Sequence, residues 1–118
     1  MVSGLECEIQ KSELNGVPLV TIKGMIKDQD VYRFSREMRS LSRQDYPAVV
    51  VDVTGLEFMD SHALGLLAYF HNALAKQGRS LVLLNENRDE LSYINGLLES
   101  TGLKTVLKVV ESKVAIFQ

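Results

Sequence analysis

The chain has little of what a metal cluster, a disulfide framework or a membrane span requires. It contains one cysteine, Cys7, among 118 residues, so no disulfide forms within the chain and a zinc site built from several cysteines is excluded. The longest apolar stretch, residues 64–70, is far too short to cross a bilayer. The first residues lack the basic segment and apolar run of a signal peptide. We therefore expect a cytoplasmic protein without a membrane-inserted segment.

An excess of positive charge is also missing. The 13 Lys and Arg residues stand against 15 Asp and Glu residues, which gives a formal net charge of −2. Direct binding to DNA or RNA is not expected, because a nucleic-acid binder needs a basic face for the phosphates. A glycine-rich loop for nucleotide phosphates is absent as well, so no cofactor is predicted. With 46% hydrophobic residues, the length fits one globular domain over residues 1–118.

The hydrophobic pattern predicts strands and helices that alternate after an opening hairpin. Apolar and polar residues alternate from Leu5 to residue 10, Asn15-Gly16 marks a turn, and residues 17–23 return as a second strand that Gly24 closes. Residues 48–53 form an apolar run without alternation, which is typical of a strand covered on both faces. Residues 80–84 and 103–110 predict two further strands.

Apolar residues at helical spacing predict three helices between these strands. The first follows Asp28, Gln29 and Asp30, which offer N-cap chemistry, and the second runs from about Ser61 to residue 76. The third contains Leu91 and ends at Gly102. The order ββαβαβαβ predicts an α/β domain with a mixed sheet of about five strands and helices packed on it.

Residues 52–65 contain the strongest candidate for a functional site in the predicted fold. A buried strand ends there, a short loop follows, and Asp60 or Ser61 opens a helix. The start of a helix presents unpaired N–H groups and the positive end of its dipole, so a serine hydroxyl there is exposed beside partial positive charge. Aspartate and serine are also preferred helix caps, and a purely structural role remains open from the residues alone.

The motif LEFMDSxxLG at residues 56–65, after a strand that ends at Asp52, resembles that of the STAS domain, and in particular of the bacterial anti-sigma-factor antagonists. The resemblance extends to the opening hairpin, to residues 78–84, and to STGL at residues 100–103. In that family the serine after the motif aspartate is phosphorylated by a partner kinase, itself an anti-sigma factor. The resemblance thus implies that Ser61 is a phosphorylation site and that the partner holds the ATP.

The resemblance further implies a switch without enzymatic activity. The unmodified protein would bind the anti-sigma factor serine kinase and indirectly free a sigma factor, and phosphorylation would release the kinase; a homodimer is compatible with this role. The chain departs from the usual Asp-Ser-Ser-Gly-Leu-Gly at His62 and Ala63, and Lys27 stands where an acidic residue is usual. Candidate partner-binding residues around Ser61 are Lys27, Asp28, Asp30, Gly55, Asp60, His62 and Leu64.

One alternative keeps the family but removes the switch. In it the chain is a STAS scaffold subunit of a signalling assembly or a membrane transporter, and Ser61 mainly caps its helix. The first helix also carries a basic face, for which the alternatives are a solvated surface and a contact with an acidic partner. Its residues are Arg33, Arg36, Arg39 and Arg43.

Two chemical alternatives are weaker. Asp60, Ser61 and His62 do not form a hydrolase relay by themselves, because neighbours on a helix point about 100° apart. Asp52 resembles the phospho-acceptor of a receiver domain, but the acidic pair that would hold Mg²⁺ after the first strand is missing. We expect Asp52 to form hydrogen bonds within its loop or at a helix cap, and Cys7 to be a small buried side chain.

Overall fold

The computed structural model describes residues 6–117, and their architecture is a six-stranded sheet with helices packed against it. The strands are β1 (Glu8–Leu14), β2 (Val17–Ile26), β3 (Ala48–Asp52), β4 (Leu56–Met59), β5 (Ser80–Leu84) and β6 (Lys108–Val110). The helices are α1 (Gln29–Ser42), α2 (Ser61–Ala75) and α3 (Tyr93–Thr101), with 3₁₀ turns at Leu103–Thr105 and Val114–Phe117. The predicted α/β class and mixed sheet are confirmed, and β4 adds one short strand to the predicted order.

The strand order places the starts of α1 and α2 at the same edge of the sheet. The order is β1-β2-β3-β5-β6, in which only β1 and β2 are antiparallel. The first part of β2 pairs with β3, and its last residues pair in parallel with β4, so that Ile26 lies opposite Met59. Because both strands end there, the chain enters α1 and α2 from neighbouring positions.

Gly24 allows β2 to continue beyond the point where the sequence predicts its end. Its φ of +85° is in the left-handed region, and the register of the β2–β4 pair shifts between Gly24 and Met25. A Cβ atom at this position would lie 1.9 Å from the carbonyl oxygen of Glu6. Only glycine fits this close approach, and the Gly24 N–H donates to the Gly55 oxygen at 3.0 Å.

The sheet is buried on both faces, as the unbroken apolar run of β3 predicts. Val49 and Val51 point into a large cluster beneath the helices, whereas Val50 belongs to a smaller cluster on the opposite face. The apolar residues of α2 form a stripe that is buried in or packed against the large cluster. These residues are Leu64, Leu67, Phe70 and Leu74.

Several local predictions differ from the structure. Leu91 precedes α3 and is 94% exposed, so it does not contribute to the core. Gly102 ends α3 in the left-handed conformation, and the next residues form a 3₁₀ turn that shortens the last strand to Lys108–Val110. Cys7 is half-buried rather than buried. Leu5, the first residue of the predicted hairpin, lies outside the described residues.

Candidate functional site

Asp60 caps the start of α2 and fixes its position against the sheet. Its Oδ1 atom accepts the N–H of Ala63 at 2.8 Å, and its main-chain oxygen accepts the N–H of Leu64 at 3.0 Å. The Asp60 N–H in turn donates to the oxygen of Ile26, the last residue of β2, at 3.2 Å. A carboxylate is a favoured cap because it pairs with the free N–H groups and the positive end of the helix dipole.

The same carboxylate also contacts the start of α1. Its Oδ2 atom accepts the backbone N–H of Asp28 at 3.4 Å. Asp28 is the N-cap residue of α1, within the group expected to supply it, but with a φ of +54° its side chain forms no capping bond. Its backbone conformation turns the N–H toward Asp60 instead. One aspartate therefore connects the first turns of two helices.

Ser61 is the first residue of α2, and its side chain is exposed. Within residues 6–117 its hydroxyl has no hydrogen-bond partner, and the backbone N–H groups of Ser61 and His62 have no acceptor. Asp60 already occupies the capping position that the sequence left open between the two residues. The arrangement thus presents a free hydroxyl beside two free N–H donors.

Tyr93 on α3 holds the strand that leads into the site, and the sequence gives no indication of this role. Its hydroxyl accepts the N–H of Met59 and donates to the oxygen of the same residue, both at 3.1 Å. Its ring also packs against Phe58, with ring centres 5.9 Å apart. Because Met59 directly precedes Asp60, this contact fixes the position of the residue that caps α2.

A polar network joins the loop after β3 to the loop after β5. Asp52 accepts the N–H of Thr54 at 3.0 Å, which confirms its predicted role within the loop. The Thr54 hydroxyl accepts the N–H of Glu86 at 2.9 Å, and the buried Asn85 donates to Asn95 on α3 at 2.8 Å. The loop that precedes β4 is therefore supported by hydrogen bonds on the side that faces α3.

The candidate partner-binding residues differ in their exposure and in their distance from Ser61. Lys27, Asp28 and His62 are exposed: His62 follows Ser61 in the chain, Asp28 donates its N–H to Asp60, and Lys27 directly precedes Asp28. Asp30 is half-buried and paired with Arg33 at 3.1 Å, and Leu64 packs partly against the core. Gly55 lies beside Lys23 at the opposite end of β4, about 16 Å from Asp60 at the usual rise of a strand.

Other chemistry has little support among residues 6–117. His71 comes ten residues after Ser61, which is about 15 Å along the helix and too far for it to act as a base. The described part of the chain holds no group of three His, Cys, Asp or Glu side chains that could bind a metal ion. None of its helices is both long and apolar enough to cross a membrane.

A family model described as the STAS domain matches residues 8–115. The chain belongs to the STAS domain family. No curated protein matches this STAS domain. The family match covers every helix and strand of the sheet, including the Asp60-Ser61 pair at the start of α2.

Solved structures of anti-sigma factor antagonists share the fold of this STAS domain. An antagonist from Mycobacterium paratuberculosis has a TM-score of 0.76 and 19% identity, and the match covers 95% of this chain and 92% of that one. The antagonist SpoIIAA in its unphosphorylated form has a TM-score of 0.70 and 14% identity, with 89% of each chain covered. The Bacillus cell fate determinant SpoIIAA in its phosphorylated form has a TM-score of 0.68 and 17% identity, with 92% and 96% covered.

Proposed function

We propose that this STAS domain is an anti-sigma-factor antagonist that binds an anti-sigma factor kinase while Ser61 is unmodified and releases it once Ser61 is phosphorylated. The observation that carries the proposal is the separation of roles at the start of α2: Asp60 caps the helix, and Ser61 is left exposed without a partner. In the scaffold alternative Ser61 would mainly cap the helix, and Asp60 already holds that position.

The start of α2 can accept a phosphate without loss of the fold. The free N–H groups of Ser61 and His62 and the positive end of the helix dipole both favour an anion. The two solved states of SpoIIAA support the same view, because this chain resembles the unphosphorylated form and the phosphorylated form about equally. We infer that phosphorylation changes what the surface binds rather than how the chain folds.

Electrostatics accounts for the release of the kinase. A phosphate adds about −1.5 to −2 charges near neutral pH. The Asp60 carboxylate next to it adds repulsion, and a partner that covers Ser61 would have to take an unpaired dianion out of water. Binding to the unmodified surface is therefore favoured, while binding to the phosphorylated surface is penalised.

The proposed docking surface centres on Ser61 and on the loop between β2 and α1. Lys27, Asp28 and His62 supply exposed groups beside it, and the hydrogen bond from Asp28 to Asp60 holds the loop in place. Asp30 and Leu64 contribute less, since each is engaged within the domain. In this proposal the domain acts in the cytoplasm without catalysis of its own, the kinase supplies the ATP, and the sigma factor is affected indirectly.

Phosphosite mapping tests the proposal. The purified domain is incubated with the anti-sigma factor kinase of its own organism and ATP, and the modified residue is located by mass spectrometry. We expect a single phosphate on Ser61, retained kinase binding by Ser61→Ala, and weaker binding by Ser61→Asp. A kinase that binds the domain but leaves Ser61 unmodified would overturn the switch.

A further inference from the structure

A groove of about 460 Å³ runs between the exposed faces of α1 and α2. It shares one residue, His62, with the surface proposed above, and the rest of it lies farther along the two helices. The groove is lined by Val31, Tyr32, Ser35, Arg36, Arg39, His62 and Leu66.

Two arginines, Arg36 and Arg39, line one side of this groove, and Arg43 follows them at the C-cap of α1. The three are spaced three and four residues apart, so Arg43 continues the face on which Arg36 and Arg39 lie. All three are exposed, and none forms an ion pair with an acid among residues 6–117. Arg33 differs, because it pairs with Asp30. The basic face predicted from the sequence is therefore divided into one paired arginine and an unpaired row, which we call the arginine row.

The stability of the helix explains only part of the arginine row. The negative end of the helix dipole favours Arg39 in the last turn and Arg43 at the C-cap, whereas like charges three or four residues apart weaken a helix slightly. The chain as a whole carries a net charge of −2, so the row is a local reversal of the overall sign. The acid on α1 that could offset it, Glu37, instead pairs with Lys11 on β1 at 2.8 Å.

Aromatic side chains accompany the arginine row. Tyr32 is 72% exposed on α1, and Tyr69 is 61% exposed on α2. Tyr69 shares a helix face with His62 and Leu66, which lie seven and three residues before it. Tyrosine and arginine are among the residue types that are enriched where proteins bind each other and that contribute most to the binding energy of interfaces. Tyr32, Arg36 and Arg39 line the groove itself, and Tyr69 lies three residues beyond the lining residue Leu66 on α2.

We propose that the α1–α2 groove binds an acidic amphipathic helix of a partner protein. The row from Tyr32 to Arg43 covers about 16 Å, or three turns of such a helix. Carboxylates at three- and four-residue spacing would face the arginines, and apolar side chains between them would contact Leu66 and the two tyrosines. This inference goes beyond the Ser61 switch, since it requires no phosphate.

The test uses the full chain with Ser61→Ala, so that the switch plays no part. The probe is a fluorescein-labelled helical peptide of about 20 residues, long enough to hold helical structure, with Glu along one stripe and Leu beside it. A matched peptide carries Lys in place of Glu. Fluorescence anisotropy should report saturable binding of the acidic peptide only, and binding should weaken between about 0.05 M and about 0.5 M salt.

Variants locate the binding site. The double change Arg36→Glu and Arg39→Glu should weaken binding of the acidic peptide at least about tenfold, because it replaces attraction by repulsion across the groove. The control Lys104→Glu, an exposed residue near β6 at the other edge of the sheet, should leave the affinity unchanged. Circular dichroism checks that each variant is folded.

The proposal is overturned if the acidic peptide fails to bind, if the Lys peptide binds equally well, or if the double variant and the control lose the same affinity. Stronger binding of a single-stranded oligonucleotide or of anionic phospholipid vesicles would also overturn it, since it would assign the arginine row to a polyanion other than a protein helix. None of these outcomes bears on phosphorylation of Ser61, which is measured separately.

Discussion

Asp60 and Ser61 are neighbours in the chain with separate physical roles. The Asp60 carboxylate accepts one N–H from α2 and one from Asp28, whereas the Ser61 hydroxyl has no partner among residues 6–117. Removal of a side chain that supports the fold lowers the free energy of unfolding, whereas removal of one that faces water changes it little. The two residues can therefore be distinguished by stability alone.

Replacing Asp60 by alanine should destabilise the domain, whereas replacing Ser61 by alanine should not. Loss of a helix cap costs about 1–2 kcal/mol, and Asp60→Ala also leaves the Asp28 N–H without its acceptor. Ser61→Ala should change the free energy of unfolding by less than about 0.5 kcal/mol. Urea denaturation measures both. Equal losses for the two variants would mean that Ser61 supports the fold, against the role proposed for it.

Cys7 should react slowly with iodoacetamide in the folded protein at pH 8. Burial, followed by the nearby Asp30 carboxylate, raises the pKa of the Cys7 thiol to about 11. The unfolded thiol, with a pKa near 9.0, reacts faster because more of it is thiolate. Below pH 9 the thiol is neutral in both states, and the free energy of unfolding falls as the pH rises from 9.0 to about 11, because the unfolded thiol loses its proton first. Alkylation at the same rate with and without urea would contradict this account.

At the scale of elements, one arginine closes the end of α1. The Arg79 guanidinium, just before β5, donates to the oxygens of Leu41 and Ser42 at the helix end and to the oxygen of Tyr46 in the following loop. The Leu41 oxygen also accepts the N–H of Gln44 at 3.2 Å, so the fork of Arg79 adds to the backbone C-cap of α1 and bonds carbonyl groups at and just beyond the helix end. The contact joins α1 to the strand that follows α2.

Arg79→Ala should lower the free energy of unfolding by about 2 kcal/mol, because charged hydrogen bonds to three carbonyl groups are lost. Arg79→Lys should recover only part of it, since an ammonium group does not reproduce the planar fork. The control is Arg88→Ala, whose partner Glu111 and own side chain are both exposed, and it should cost less than about 0.5 kcal/mol. Urea denaturation compares them, and similar losses at both arginines would refute the capping role.

Tyr93→Phe should weaken the attachment of the end of β4, just before Asp60, while the ring contact with Phe58 remains. The change removes only the hydroxyl that bonds both backbone groups of Met59, and should cost about 1 kcal/mol. Hydrogen exchange should then be faster at Met59 but unchanged at Val50 in the sheet centre. Unaltered exchange at Met59 would show that β4 is held without Tyr93.

The elements that the sequence predicts well are those defined by local pattern. The unbroken apolar run of β3 and the helical spacing in α1 and α2 are visible in the local sequence. The α/β fold class and the order of strands and helices can therefore be predicted from them. Pairing between distant segments carries no such signal. β4 has four residues and exists because β2 offers it an edge beyond Gly24. Tyr93 and Arg79 bond backbone groups more than 30 residues away, which explains why neither contact was predicted.

At the scale of the whole molecule, the small net charge makes a phosphate on Ser61 a large electrostatic change. With 13 basic and 15 acidic residues the net charge is −2, so a single phosphate would roughly double it, and all of the added charge would sit at one point. His62 lies next to that point and also lines the α1–α2 groove. Phosphorylation would therefore alter the potential at one end of the groove as well as at the proposed docking surface.

The most direct test of the switch is the affinity of the kinase for the two forms of the domain. The domain is prepared unmodified and with phosphoserine at position 61, and each form is titrated with the anti-sigma factor kinase by isothermal calorimetry. Both forms should give the same circular dichroism spectrum. The account predicts that the phosphorylated form binds at least about tenfold more weakly, since a covered, unpaired dianion costs more than 1.4 kcal/mol. Equal affinity for the two forms would contradict it.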